Sequence, residues 1–416
     1  MNLVFFGKLY SIIIILYSLF IIFKYIMFFK NDIKRCSNKL KNNKEIFIAI
    51  PCLREQKIIE ETIKHFRKIC ELPIVIITTQ KENYESSGKN NYVTTKMIVE
   101  DNILGKYENV YLIDYPLNEG YMADQLNYML NNLDNFDFYD ESKDWYMSLY
   151  NADSKPSKET FKSIFYYVNQ NKKVIQQYSY CFKNLFKLDF VSRGFAIYQS
   201  NFEIKVGLYN SGLNYKYLYN YVVGHGLTIN LKELNKVGNF NTKFWCEDIY
   251  LTMKLKYNNI PIYSISCLEN IENASSIGQI IKQNSVWYDT TRKYVKVYKD
   301  IKKSEKRFSI NGLIGCINEF RCAINWLLFP IIFVINCLIC ICFGNFIMFY
   351  ILLFSYLFYS FVNYYITICT INKLSNEHYK LNVCNYVSYM LALLISNIGP
   401  IYSLFSCKKE KYKTER

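Results

Sequence analysis

Two long stretches without a charged residue constrain this chain of 416 residues more than any other feature of its sequence. Residues 323–372 and 381–407 contain no Asp, Glu, Lys or Arg. Each stretch exceeds the roughly 20 apolar residues that an α-helix needs to cross the hydrocarbon core of a bilayer. The sequence therefore predicts a membrane protein in which the charged residues are gathered in a soluble middle part.

A third apolar segment, residues 9–29, lies near the amino terminus. It is interrupted only by Lys24, which can extend its ammonium group toward one membrane surface. A secretory signal is the alternative, but the segment is long and no small-residue cleavage site follows it. Lys8 alone precedes the segment, whereas a basic cluster follows it: Lys30, Lys34, Arg35, Lys39, Lys41 and Lys44. Because Lys and Arg are retained on the cytoplasmic side, residues 1–30 are predicted to anchor the chain in the cell membrane and residues 42–310 to form a cytosolic domain.

The C-terminal apolar region, residues 323–407, is predicted to contain two full membrane spans and a third segment. Whether this third segment crosses the membrane is left open. The three pieces are residues 324–343, 346–369 and 382–406. The third contains residues that interrupt a membrane helix, namely Asn397, Gly399 and Pro400. A full third crossing would also place the basic tail, residues 408–416, outside the cell, against the charge rule. A re-entrant or interfacial piece is therefore favoured there, and residues 311–322 are predicted to be interfacial as well.

Composition excludes several classes of protein. Charged residues make up 20% and aromatic residues 18%, a balance that excludes a disordered chain. The net charge of +15 fits retention at anionic membrane lipid. Nucleic acid is not an expected partner, since no motif that reads it and no concentrated basic helix is present. Several of the 14 cysteines lie in apolar segments as small hydrophobic residues, so no disulfide framework is predicted.

The middle part alternates short β-type runs with helical stretches, which is the pattern of an α/β fold. Four buried strands are predicted at residues 46–50, 73–79, 109–114 and 145–150. Residues 55–70 carry apolar side chains on one helical face. Because parallel strands bind ligands beyond their carboxyl ends, the residues that follow each strand are the candidates for chemistry.

Asp153 follows the fourth predicted strand, within residues 151–156. A carboxylate on a short loop at a strand end can hold a divalent cation against a diphosphate. An Asp in such a position is more often a turn or capping residue, so the local signal is weak.

Farther along the chain, two residue pairs have the composition of a sugar site. Glu247 and Asp248 precede a helical run. The pair fits two roles equally well: negative charge that stabilises a helix N-terminus, or a general base near a sugar hydroxyl. Gln283 and Trp287 lie one helical turn apart and combine a stacking surface with a hydrogen-bonding arm. Taken alone, such a pair is more often part of a packed interface.

The order of these residues resembles that of the family 2 glycosyltransferases, in particular the membrane-embedded branch that includes cellulose, chitin and hyaluronan synthases. The resemblance covers residues 42–370, and its most specific markers are the acid pair and the Gln283…Trp287 pair. Further matching stretches are residues 50–55, 151–153, 120–127, 224–226, 237–240 and 411–416.

The resemblance implies a GT-A-like (Rossmann-like) cytosolic catalytic domain with transmembrane helices on its N- and C-terminal sides. It implies an inverting transfer of a sugar from a nucleotide-diphosphate-sugar to a growing polysaccharide or a glycolipid, with a UDP-sugar as the expected donor. It also implies a role for each candidate residue. Asp248 and Glu247 are catalytic, Glu55, Glu82 and Asp153 bind the donor, Asp153 holds Mg²⁺ or Mn²⁺, and Gln283, Trp287 and His225 bind the acceptor.

The sequence differs from the family pattern at several positions. Asn151 replaces the first Asp of the usual Asp-x-Asp, and Glu82 is the candidate for the acid expected after the second strand. Met122 replaces a lysine, and the arginine usually found beside Trp287 is missing. Two alternatives therefore stay open: a transferase that loads one sugar onto a lipid carrier, and a catalytically inactive membrane scaffold of the same fold.

Overall fold

The computed structural model describes residues 2–31, 36–41, 43–86, 92–212, 220–244, 246–375 and 377–406. The chain forms two compact units. The membrane unit comprises Met1–Asp32, Ser179–Asn220 and Asn270–Arg416, and the sheet unit comprises Ile33–Tyr178 and Tyr221–Glu269. The predicted basic tail and two residues of the basic cluster, Lys34 and Arg35, lie outside the described residues.

The strands are β1 (Lys44–Pro51), β2 (Ile74–Thr79), β3 (Val110–Tyr115), β4 (Asp144–Leu149), β5 (Val174–Gln176), β6 (Ser179–Tyr180), β7 (Leu227–Asn230), β8 (Ile262–Ser264) and β9 (Glu269–Asn270). The sheet unit contains a seven-stranded sheet in the order β3-β2-β1-β4-β7-β5-β8. Its strands pair in parallel except β7, which is antiparallel to both neighbours. This mixed, mainly parallel sheet confirms the predicted α/β class, and β1 to β4 match the four predicted strands.

The helices are α1 (Asn2–Asn31), α2 (Ile59–Ile69), α3 (Gln80–Ser86), α4 (Thr95–Asn102), α5 (Met122–Leu130), α6 (Lys158–Asn169), α7 (Phe190–Phe202), α8 (Leu231–Lys236), α9 (Glu247–Tyr257), α10 (Ile277–Thr291), α11 (Tyr294–Glu305), α12 (Ile310–Cys342), α13 (Phe346–Leu374), α14 (Val383–Ile395) and α15 (Ile398–Phe405). A π-helical segment, Glu203–Leu208, continues α7. The helix predicted at residues 55–70 begins only at Ile59. A turn precedes α2, in which Ile58 N and Ile59 N donate to the carbonyl oxygen of Glu55, and the φ of −123° at Ile58 lies outside helical geometry.

The central strands are buried on both faces of the sheet. Phe47 and Ala49 of β1 belong to one apolar cluster, while the alternating residues Ile46, Ile48 and Ile50 belong to the other. Parallel strands that are covered by helices on both sides are continuous apolar runs in the sequence. This double burial is why the strand at residues 46–50 can be predicted from sequence.

Among the residues that the structure describes, four helical segments of the membrane unit are long and apolar enough to cross a membrane: Phe6–Asn31, Ile310–Cys342, Phe346–Leu374 and Val383–Phe405. The last consists of α14 and α15, and the break between them falls at Ser396 and at Asn397, one of the predicted helix breakers. Residues 311–322 form the first part of α12 without a break. Their interfacial position and the path of the last segment stay predictions.

The two units divide the chain at other positions than the predicted domains do, and the predicted domain boundaries stay a prediction. Residues 179–220 and 270–310, which the sequence analysis includes in the cytosolic domain, belong to the membrane unit. Close helix packing is the physical reason, since a Cβ atom on Gly194 of α7 would lie only 2.1 Å from the carbonyl oxygen of Ser388 in α14. Such a contact between segments far apart in sequence leaves no periodic signal in either segment.

Candidate functional site

The carboxyl edge of the sheet gathers several of the predicted site residues. β1, β2, β3 and β4 run in parallel, so the chain leaves all four strands at the same edge. The segments that follow these strands carry Glu55, Glu82 and Asp153. Open sheets of this kind bind ligands at this edge.

Glu82 is the centre of a buried hydrogen-bond network beyond β1 and β2. It is 2% exposed. Its Oε1 accepts hydrogen bonds from Thr95 N at 2.8 Å and Thr95 Oγ1 at 3.1 Å, and its Oε2 accepts one from Arg54 N at 3.0 Å. Thr95 Oγ1 in turn accepts a hydrogen bond from Glu55 N at 2.8 Å. In this arrangement Glu82 positions the loop of Glu55, and direct contact of Glu82 with a donor stays a prediction.

We expect Glu82→Gln to destabilise the fold by about 1–3 kcal/mol, because an NH₂ group replaces one of the accepting oxygens and leaves a buried donor without an acceptor. Denaturant unfolding of the purified variant measures this loss. Glu108→Gln, at an exposed residue before β3, is the matched control. Equal unfolding midpoints for Glu82→Gln and wild type would contradict the positioning role.

Asp114, which the sequence analysis does not select, lies near the carboxyl end of β3. Its carboxylate accepts hydrogen bonds from Thr78 Oγ1 at 2.7 Å and from Gln80 Nε2, and it pairs with Lys96 Nζ at 3.2 Å. Gln80 also lines a cleft of about 600 Å³, whose other lining residues are Asn83, Tyr84, Pro116, Leu117 and Asn118. The signal that marks Asp153, an acid at a strand end, is present at Asp114 too.

Asp153 is half-buried on a loop that hydrogen bonds hold on both sides. Before it, Thr62 Oγ1 donates to the carbonyl oxygen of Ala152 at 2.5 Å. After it, Lys155 N donates to Glu269 Oε1 at 2.7 Å. The loop therefore presents Asp153 from a fixed backbone.

Asp153 could bind a cation whose other ligands come from the substrate. Among the residues that the structure describes, no three His, Cys, Asp or Glu side chains form a group that could hold a metal ion. Mg²⁺, however, is usually bound by one or two carboxylates together with substrate phosphates. A single hard oxygen ligand on a fixed loop fits that mode of binding.

His225 lies in a loop that Gln176, the last residue of β5, holds in place. Gln176 Nε2 donates to the carbonyl oxygen of His225 at 2.8 Å, and Gln176 Oε1 accepts from Val223 N at 3.0 Å. Gly226 has a φ of +65°, and a Cβ atom there would lie 2.7 Å from the carbonyl oxygen of Gln177. The loop therefore requires glycine at this position.

Glu269 connects the His225 loop to the Asp153 loop. It is 2% exposed, and its Oε2 lies 3.6 Å from His225 Nδ1, while its other oxygen accepts from Lys155 N. Burial raises the pKa of Tyr150 well above its ordinary value, and the negative charge of Glu269 raises this pKa further. Glu269 could not be predicted from sequence, because no local pattern marks it and only the fold brings it to the loop of Asp153.

Glu247 and Asp248 are the first two residues of α9, so the acid pair lies in the first turn of a helix. Asp248 is half-buried, and its Oδ1 accepts a hydrogen bond from Ile249 N at 2.8 Å. Glu247 is 6% exposed. A Cβ atom on Gly224 would lie 3.8 Å from Glu247 Oε1, so the acid pair adjoins the loop that carries His225.

Two further stretches that carry the family resemblance contact each other in the sheet unit. Asn127 Nδ2 donates to the carbonyl oxygen of Phe240 at 2.8 Å, and Phe240 N donates back to Asn127 Oδ1 at 3.1 Å. This double hydrogen bond joins residues 120–127 to residues 237–240.

Gln283 and Trp287 belong to the membrane unit, whereas the other predicted site residues belong to the sheet unit. Both lie half-buried on α10, one turn apart. In the described part of the chain, neither side chain has a hydrogen-bond partner and the indole has no ring partner. Both side chains can therefore take a ligand without breaking a hydrogen bond or a ring pair of the described residues.

One solved structure has a similar overall fold. The structure is similar to that of the mannosyltransferase PcManGT from Pyrobaculum calidifontis in complex with GDP-Man and Mn²⁺, with a TM-score of 0.53 and 11% sequence identity over 97% of this chain and 100% of that chain. Residues 1–349 of TarS from S. aureus give a TM-score of 0.40 at 14% identity, over 86% of this chain and 90% of that chain. Neither a protein-family model nor a curated protein sequence matches the chain. The chain thus shares its fold with a glycosyltransferase.

Proposed function

We propose that this chain is a membrane-bound glycosyltransferase of the family 2 type, which moves a sugar from a nucleotide-diphosphate-sugar to a glycan or a lipid-linked acceptor. The observation that carries the proposal is the proximity of Glu247 to Gly224, together with the contacts of Glu269 with the neighbouring His225 and with the loop of Asp153. These contacts place the two candidate general-base acids, Glu247 and Asp248, and the candidate metal ligand Asp153 within the same unit. The fold shared with a mannosyltransferase is consistent with this class of activity.

The nucleotide part of the donor is proposed to bind at the carboxyl ends of β2 and β3. Tyr84 is 64% exposed in the cleft there and offers an aromatic surface to a base. Asn83 and Asn118 offer amide donors and acceptors to its polar edge. Glu55, on the loop that Glu82 positions, is proposed to contact the nucleoside.

The chemical step is proposed to be a single displacement that inverts the anomeric carbon. Asp248 takes the proton of the acceptor hydroxyl, and the hydroxyl oxygen attacks the anomeric carbon as its bond to the diphosphate breaks. The electron pair of that bond leaves with the nucleoside diphosphate. Asp153 would hold Mg²⁺ or Mn²⁺, and the ion would supply neutralisation of the leaving-group charge.

Acceptor binding is proposed for Gln283 and Trp287 of α10, and His225 is proposed separately as an acceptor-binding residue of the sheet unit. An indole face stacks on the apolar face of a pyranose, and an amide one helical turn away hydrogen-bonds its hydroxyl groups. Holding the acceptor hydroxyl in line with the anomeric carbon removes much of the entropic part of the barrier.

A donor panel tests the proposal. Membranes that contain the full-length chain are supplied with labelled UDP- and GDP-sugars and with Mg²⁺ or Mn²⁺, and lipid-soluble and polymeric products are counted separately. We expect one donor to give product, with membranes that contain Asp248→Asn as the matched blank. Polymer would indicate a polysaccharide synthase, and lipid-soluble product would indicate a transferase that loads a carrier. A wild-type chain that neither binds nor consumes any donor would instead be a scaffold.

The sheet unit is proposed to face the cytosol, as the basic cluster after the first span predicts. We expect a cysteine at Glu141, an exposed residue of this unit, to react with a membrane-impermeant maleimide only after the cells are opened. The parent chain with its own cysteines gives the background labelling. Labelling of Glu141→Cys above this background in intact cells would contradict the orientation.

A further inference from the structure

A lysine is buried in the membrane unit where α1 meets the π-helical segment. Lys24 is 7% exposed and lies roughly 10 Å along α1 from the helix end at Asn31. Its Nζ donates to the carbonyl oxygen of Lys205 at 2.6 Å. The ammonium group therefore points into the unit, whereas a lysine that merely extends to the membrane surface would leave its charge in water.

Lys205 directs a second ammonium group toward α13. Its Nζ lies 3.4 Å from Tyr359 Oη and 3.4 Å from Asn363 Oδ1. It also lies 5.6 Å from the ring centre of Tyr17 and 5.7 Å from that of Tyr359. All of these neighbours are uncharged groups.

The two lysines lack a counter-charge in the described part of the chain. Neither has a carboxylate partner there. Each ammonium group has three donors, of which Lys24 uses one and Lys205 uses two, both in long contacts. Lys24 lies in a helix that is long and apolar enough to cross a membrane, where an unpaired charge is costly and marks a functional site. The component that would complete this cluster is an anion with several acceptor oxygens.

The surface of α1 indicates which kind of anion fits. Large apolar side chains on this helix are exposed: Ile13, Leu16, Phe20 and Phe23. A hydrocarbon tail can lie along such a surface while a charged group at its end reaches the lysines. A phosphate group carries up to two negative charges and three strong acceptor oxygens, which matches two ammonium groups with unused donors.

We propose that Lys24 and Lys205 form a binding site for the phosphate group of a membrane lipid. The site goes beyond the transferase activity, because it binds its lipid whether or not the chain transfers a sugar. The phosphate belongs either to an isoprenoid phosphate, which can accept a sugar, or to a phospholipid headgroup.

Lipid binding to the purified full-length protein in neutral detergent tests the site. The probes are farnesyl phosphate and dioleoylphosphatidic acid, each paired with its uncharged counterpart, farnesol or dioleoylglycerol. We expect at least one phosphate lipid to raise Tm in proportion to its occupancy, whereas the uncharged counterparts do not. A response to farnesyl phosphate alone assigns the site to an isoprenoid phosphate, and a response to both assigns it to lipid phosphate in general.

Charge-removing variants locate the site. Lys24→Gln and Lys205→Gln are each expected to weaken binding of the phosphate lipid by roughly 10- to 100-fold, the effect of one charge-assisted hydrogen bond. Lys8→Gln, at an exposed residue of the same helix, removes the same charge and is expected to leave the affinity unchanged. Lys24→Arg keeps the charge and is expected to restore most of the affinity.

Two results would overturn the proposal. One is a wild-type chain that binds the phosphate lipids no better than the alcohols, which needs no variant to fold. The other is a Lys24→Gln and a Lys205→Gln variant that both bind phosphate lipid as tightly as Lys8→Gln does. Neither result depends on transfer activity, so failure of this site and failure of the transferase proposal are distinguishable.

Discussion

Asp248→Asn is expected to lower kcat by roughly 10²- to 10⁴-fold while the affinity for the nucleotide-sugar stays nearly unchanged. The substitution keeps the shape of the side chain and its ability to accept a hydrogen bond from Ile249 N, which Asp248 Oδ1 accepts at 2.8 Å. It removes the group that takes the acceptor proton, and this proton moves only in the transition state. Initial rates and donor titration on the same purified protein measure both quantities.

The alternative role of Asp248, a charge that favours the helix N-terminus, predicts a different result. Asparagine is a good residue at helix starts, so the loss would stay below about 1 kcal/mol of stability and activity would remain. Glu233→Gln removes an acid from the first turn of α8 and is the matched control for this helix effect. Turnover of Asp248→Asn at the wild-type rate would end the assignment of the base and direct attention to Glu247.

Three of the four predicted strands, β1, β2 and β4, could be predicted from sequence because they are buried within the sheet. β1 is a continuous apolar run from Ile46 to Ile50, and it ends at Pro51, so local composition alone indicates a buried strand. The parallel order then places Glu55 and Asp153 at one edge without further information. The start of α9 at Glu247 is equally local, because an acid pair before an apolar run marks a helix start.

Other parts of the candidate site could not be predicted, because they depend on contacts across long stretches of chain. Glu269 has no motif around it, and its role follows from Lys155 N and His225 Nδ1, which lie far from it in sequence. The assignment of α7 to the membrane unit depends on the missing Cβ of Gly194 beside Ser388, and a glycine within a helical pattern does not reveal its neighbour. The strand ends are therefore predictable from local sequence, whereas Glu269, which joins the loops of Asp153 and His225, is not.

Asp153→Asn is expected to lower transfer by roughly 10²-fold or more, since a metal ion contributes several kcal/mol to stabilising the charge of a leaving diphosphate. Asn151 stands where a second acid would share the cation, so Asp153 is the one carboxylate of residues 151–153. An amide oxygen ligates Mg²⁺ or Mn²⁺ more weakly than a carboxylate does. We therefore expect part of the lost activity to return at higher Mn²⁺ concentration, which a titration of rate against cation measures.

The metal dependence itself distinguishes a ligand from a structural turn residue. Asp134→Asn, at an exposed acid after α5, is the control for loss of one negative charge from the same unit and is expected to keep the wild-type cation requirement. If Asp153 merely shaped its loop, Asp153→Asn would lower Tm and leave the concentration of cation needed for half-maximal rate unchanged. Full turnover of the wild-type chain in excess chelator would remove the metal from the mechanism, because the loop of Asp153 would then have to neutralise the diphosphate without a cation.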